Sequence, residues 1–247
     1  MVDTKGPAMS EATEHLISSY EQEFVRLREL TGHMGGLVEK QLTLAATALL
    51  SLDSEAATRA VELDPAVDAL EREVEQFAIR MIALRQPVGD DLRRLVAAMR
   101  ASVDLERIGD YAANVARRSL ILGQFRMAHG LTALGHMTRL VQDSLKLIID
   151  AMGESDAEKA IQVWRSDRAI DDLYNTIVRE LVTYMMEDPR NITPCMHLLF
   201  VAKNLERIGD HATNIAETIH YAVTGEVMSE ARPKGNVEAY LVERDAG

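Results

Sequence analysis

Glu106 and Asp110 stand four residues apart in the stretch LERIGDYAANVA, which begins at Leu105. One hundred residues later LERIGDHATNIA begins at Leu205 and sets Glu206 and Asp210 at the same spacing. Residues i and i+4 share a helix face, so each pair would place two carboxylates side by side. Asn114 and Asn214 extend the two rows by another turn. Asp64 with Asp68, and Asp167 with Asp171, repeat the spacing, and Glu71 and Glu75 lengthen the first of these edges. Like charges at this spacing cost about 0.2–0.5 kcal/mol per pair. Arg107 and Arg207 lie one residue along, about 100° round the helix, and are not expected to bridge their own pairs. A compensating cation is therefore expected from elsewhere. Carboxylate and amide oxygens are hard donors, so the divalent or trivalent candidates are Mg, Mn, Fe or Ca. A basic partner surface would satisfy the same rows. A single E-x-x-x-D is common and means little, but four aligned pairs in two copies point to a metal or a partner.

The elements that must position these rows are also duplicated. HMGGLVEKQL at His33 aligns with HMTRLVQDSL at His136, an offset of 103 residues that also carries Asp53, Asp64 and Asp68 onto Asp156, Asp167 and Asp171. The later motif keeps an offset of 100, so three extra residues fall near ALRQPVGDD, a segment expected to be a loop that absorbs them. The first unit reads as a long helix from about Glu11 to Leu50, bent at Gly32, Gly35 and Gly36. A second helix capped by Asp53 runs to about Leu84, with Leu63, Val67, Leu70, Val74, Phe77, Met81 and Leu84 alternating by four and three. A third runs from about Asp91 to Leu122 and stops at Gly123. In the second unit Ser155 and Glu158 form a capping box, Thr193 and Pro194 open the last helix, and Gly225 ends it. The predicted fold is all-α, two tandem antiparallel three-helix bundles at residues 1–123 and 124–225, with a tail at 226–247.

On the last helix Leu198, Val201, Leu205, Ile208, Ala212, Ile215 and Ile219 form the core stripe, and Glu206 and Asp210 fall on the opposite side. The acidic rows should thus face away from the core. The edge carrying Asp64 and Asp68, or Asp167 and Asp171, is expected beside the neighbouring row. Gly109 and Gly209 should admit a close helix, since glycine inside a helix otherwise costs about 1 kcal/mol. His33 and His136 are expected to be structural. Cys195 reads as an apolar filler and Trp164 as packing.

Bulk properties remove other functions. Hydrophobic residues make up 47% of the 247 but aromatics only 4%, which suits aliphatic helices. A net charge of −12 disfavours nucleic acid and anionic membrane surfaces and favours cations or basic proteins. One cysteine forms no intrachain disulfide. No signal pattern or membrane-spanning run is visible, so a cytoplasmic location is expected. The inward Glu-x-x-His pairs of a di-iron catalyst are missing, as are a P-loop, a nucleophile elbow and H-E-x-x-H, so no enzyme is expected.

At Glu106–Asp110 and Glu206–Asp210, in MGGLVEKQL after His33 and in DPAVDALEREVE after Leu63, the chain resembles the PhoU family over roughly residues 12 to 224. The hallmark of that family is a duplicated three-helix bundle with an E/D-x-x-x-D motif in each half. The resemblance implies an adaptor linking a phosphate ABC transporter to a sensor histidine kinase. Such an adaptor holds the phosphate-starvation response off when phosphate is plentiful and meets the membrane only through its partners. It also implies metal binding through the acidic motifs. The change from Tyr111 to His211 departs from strict repetition, so the two sites need not prefer one metal. A homodimer is a further expectation.

Overall fold

The computed structural model describes residues 11–125 and 131–228, with side chains at 20–125 and 132–228. Its helices are α1 (Glu11–Ser51), α2 (Ser54–Glu62), α3 (Asp64–Arg85), α4 (Asp90–Leu122), α5 (Leu131–Glu154), α6 (Ala157–Glu187) and α7 (Ile192–Thr224), with a 3-10 turn at Pro189–Asn191. The first bundle comprises α1, α2 with α3, and α4. The second comprises α5, α6 and α7. No strand occurs among the described residues.

Pro65 makes the clearest difference between the halves. The expected single helix after Asp53 is two, broken at Leu63, with Pro65 in the first turn of α3. Proline lacks the N–H that would continue the ladder, and its ring disfavours a helical residue before it. The second half has Arg168 at that repeat position, and α6 runs through unbroken. The expected loop lies at 86–89, but it does not itself hold the three extra residues. Both connections have four residues, 86–89 and 188–191, and the added length goes into the end of α3 and the start of α4. Helix α1 passes without interruption through Gly32, Gly35 and Gly36.

Two expected caps are replaced. Asp156, not Ser155, caps α6, with its side chain accepting from the Glu158 and Lys159 N–H groups. This repeats Asp53, which accepts from Glu55 and Ala56. The residue before each cap is left-handed, Leu52 at φ 52° and Ser155 at φ 55°, so Ser155 is turned away from a capping geometry. The last helix begins at Ile192 rather than beside Thr193, because Asp188 caps the 3-10 turn first and thereby satisfies the Arg190 N–H. Gly225 ends α7 as expected, at φ 76° with its N–H on the Tyr221 carbonyl. Of the expected tail, residues 229–247 lie outside the described residues.

The core stripes hold as expected: Leu105, Ile108, Ala112 and Val115 on α4 and Leu205, Ile208, Ala212 and Ile215 on α7 are buried. Helices α4 and α7 carry a second buried line as well, Gly109, Ala113 and Ala116 on α4 and Gly209, Thr213 and Ala216 on α7. They are covered twice because each packs in its own bundle and against the other half. Polar contacts cross that junction. His211 Nδ1 lies 2.7 Å from Asp104 Oδ1, Asn214 donates to the same oxygen at 3.3 Å, and Arg207 donates to the Tyr111 hydroxyl at 3.3 Å. Helix α1 meets α5 where Ile149 lies against Gly35 and Leu50 against Gly135. Cys195 and Trp164 are buried as expected, while His33 and His136 are exposed.

Candidate functional site

The two rows lie along the edges of α4 and α7. Double coverage of these helices places the rows at the rim of packed surfaces, so they are less outward-facing than expected. Glu106, Asp110, Asn114, Asp210 and Asn214 are half-buried, and the Glu206 side chain is only 13% exposed. The neighbouring edges arrive where expected. Asp68 and Glu71 of α3 are close enough to Glu106 to raise its pKa by repulsion, and Asp171 of α6 does so to Glu206. Asp167 is 2% exposed and lies under Gly209, while Asp64 sits between α1 and α4.

The first row carries its own cations, contrary to the expectation for Arg107. That side chain curls back along α4, placing Nη1 3.2 Å from Asp110 and Nε 3.4 Å from Glu106. A long flexible stem reaches i+3 even though its Cβ starts 100° away, a reach that residue spacing alone understates. Arg117 Nη2 lies 3.2 Å from Asp64 Oδ2, and its Nη1 donates to Asn114 at 3.0 Å. The other Asp64 oxygen accepts from Gln41 Nε2 at 3.2 Å. These contacts make Gln41 and Arg117 members of the site that sequence reasoning missed.

The second row is built differently. Lys203 Nζ lies 2.6 Å from Glu206 Oε1, while Glu206 Oε2 is buried with no hydrogen-bond partner. The position of Arg117 is taken by Glu217, which accepts from the buried Trp164 Nε1 at 3.2 Å. Asn214 has turned to Asp104. The signal for this difference was available in the repeat itself, as an Arg-to-Glu exchange at one offset.

Burial raises the Glu206 carboxyl above its ordinary value. Asp210 and Asp171 add to the rise, and Lys203 opposes it. Burial and Asp110 raise Glu106 likewise, against Arg107. A raised folded pKa means that the native state binds a proton more readily than the unfolded state. Stability then falls as pH rises from the ordinary value through the raised one. Metal-free Glu206→Gln should therefore melt higher than wild type at neutral pH, with the gap closing toward about pH 4.5, the ordinary value. Paired melts across that range check this, and a gap that ignores pH would rule out the burial account.

Among the described residues, no three His, Cys, Asp or Glu side chains converge closely enough to enclose a metal ion. The donor chemistry still fits a hard cation in the second half, where a buried carboxylate oxygen lacks a partner. In the first half the fit is poor, because guanidinium groups already hold Glu106, Asp110 and Asp64.

Duplicated bundles that carry twin carboxylate rows across a shared junction define a helical binding scaffold. Residues 31–119 and 134–219 each match the PhoU domain, and the chain belongs to that family. It is 49% identical over 226 residues to the phosphate-specific transport system accessory protein PhoU homolog of Caulobacter vibrioides, covering 91% of this chain and 98% of that one. The Zymomonas mobilis homolog is 45% identical over 90% of this chain and 94% of its own. The crystal structure of PhoU from Pseudomonas aeruginosa superposes with a TM-score of 0.82 at 40% identity, covering 84% of this chain and all of that one. The phosphate transport system regulatory protein PhoU from Streptococcus pneumoniae gives 0.79 at 30% identity, over 85% of this chain and all of that one.

Proposed function

We propose that this chain regulates bacterial phosphate uptake and restrains the phosphate-starvation response. In this reading it is a cytoplasmic, non-enzymatic adaptor between a phosphate ABC transporter and a sensor histidine kinase. The observation that carries the reading is the pair of half-buried acidic rows on a scaffold nearly half identical to a phosphate-transport accessory protein. Residues 1–123 and 124–225 serve as the two repeat units and 226–247 as a tail. No described helix is long and apolar enough to cross a membrane, which fits attachment through partners. Net charge −12 favours cations and basic protein surfaces over nucleic acid. A clean deletion should derepress phosphate-starvation reporters in phosphate-rich medium. Unchanged reporter output there would remove the assignment and leave the fold standing.

The rows supply the metal-binding part of the proposal. Glu206, Asp210, Asp167 and Asp171, with Asn214, would hold a hard cation in the second half. Glu106, Asp110, Asp64 and Asp68, with Asn114, are their first-half counterparts. When bound, the cation would convert repulsion along a row into attraction. The lack of a preassembled trio among the described residues favours a second reading, a metal-independent adaptor whose rows dock basic partner surfaces. Metal analysis of gently purified protein, with a pull-down from phosphate-replete cells with and without chelator, separates the two. Partner capture that ignores chelator, from protein without metal, selects the second.

A further inference from the structure

We propose that residues 237–243 of this chain dock in a cleft at one end of the junction between the halves and close it from within. This needs neither the acidic rows nor the phosphate reading. The cleft has a volume of about 320 Å³ and is lined by α1, α4, α5 and α7, so both halves contribute to it. Its floor is apolar: Leu27 from α1, Ala101 from α4, Met152 from α5 and Ile219 from α7. Its depth comes from α4, which presents Ala97, Ala98 and Ala101. The repeat-matched residues of α7 are His197, Leu198 and Val201, all larger. Val223 stands at the edge, 43% exposed. An open apolar lining of this kind favours a cover that removes it from water.

The rim is basic. Arg28 makes no ion pair among the described residues, and Arg94 reaches Asp91 only at 3.8 Å. The carboxylate on the lining, Asp90, is already held by Arg93 at 2.7 Å. The cleft therefore suits an apolar segment flanked by carboxylates. The described chain stops beside it. Val223, in the last turn of α7, lines the cleft, Gly225 turns the chain against the Arg93 guanidinium, and Met228 packs on the core. Extended chain from 228 to 240 spans up to about 40 Å, which puts Tyr240 within reach of the whole cleft. In the sequence Ala239, Tyr240, Leu241 and Val242 lie between Glu238 and Glu243, the pattern the cleft asks for. Residues 1–10, MVDTKGPAMS, fit it worse: they hold no aromatic side chain, and Lys5 offsets Asp3. Helix α1 also carries them away, since Glu11 stands about 20 Å along the axis from Phe24, the cleft residue nearest to it in the chain.

A photoreactive p-benzoylphenylalanine replacing Tyr240 in the full chain tests this. Cross-linking at low protein concentration, read by peptide mass spectrometry, should join position 240 to peptides holding residues 24–31, 94–101 or 219–223 of the same chain. Arg28→Glu with Arg94→Glu should cut that yield by about tenfold or more. Both side chains are exposed, so a thermal melt should show the fold intact. Glu238→Lys with Glu243→Lys should cut the yield likewise. Combining the two charge reversals should restore it, which a merely local disturbance of either segment would not. Cross-links between two chains that rise with concentration would give the cleft to a second copy and overturn the proposal. Cross-links confined to other parts of the chain, no cross-link at all, or a yield that ignores both reversals would overturn it as well.

Discussion

Leu205→Ala should lower stability by about 2–5 kcal/mol. For a chain of this length that is a fall in Tm of roughly 5–20 °C. Leu205 is fully buried in the α7 stripe, between Val201 and Ile208, which are buried as well. Truncation removes apolar atoms from water-excluded space and leaves a cavity that helices covered on two faces cannot easily close. Leu105→Ala should behave alike, since Leu105 is equally buried. Replacing Arg107, half exposed at the same motif, should change stability by about 0.5 kcal/mol or less. Denaturant melts of the three variants check this. Equal losses from Leu205→Ala and an Arg107 substitution would contradict the assignment of the repeated phrase mainly to packing.

That expectation bears on how LERIGD should be read. Its Leu, Ile and Gly are buried in both halves, and its Glu and Asp sit at the rim. Verbatim repetition therefore reflects core geometry as much as any site. Apolar periodicity was enough to place the long helices, because the burial of a stripe is a property of spacing. It did not place the breaks. The seam from Leu63 to Leu84 runs smoothly across the end of α2, yet Pro65 divides the segment through a missing N–H that hydrophobic spacing does not record. The Ser155 capping box failed for a similar reason: the pattern was right, but a left-handed backbone gave the cap to Asp156. Aligning Asp156 with Asp53 in the repeat already favoured that outcome.

The candidate site was legible as a set of carboxylates and illegible as a charge balance. Spacing put Glu106 beside Asp110 and brought the α3 edge alongside. It could not show that Arg107 folds back on its own pair, because side-chain reach is not fixed by the direction of Cβ. Nor could it show Gln41, which comes from a helix whose register against α4 is a tertiary fact. The exchange of Arg117 for Glu217 stood in the open, but it acquires meaning only once Asp64 is seen under the guanidinium.

Gly109 tests the register of α1 against α4, and the expected effect is large. A Cβ there would lie 2.9 Å from Gln41 Oε1 and 3.4 Å from Val67 Cγ1. Gln41 is fully buried, its Oε1 already lacks a partner, and its Nε2 holds Asp64, so it has little room to yield. Gly109→Leu should overpack this contact and cost about 1–3 kcal/mol or more. Gly109→Ala is subtler: alanine gains about 1 kcal/mol of helix propensity, offset by the displaced glutamine and the weakened bond to Asp64. The decisive comparison is a double-mutant cycle. Gln41→Ala empties the space facing Gly109, so adding Gly109→Ala to that background should stabilise by about 1 kcal/mol. The same alanine in wild type should gain distinctly less. Equal gains in both backgrounds would mean that Gln41 does not face Gly109, and the contact that seats Asp64 beside α4 would have to be placed elsewhere.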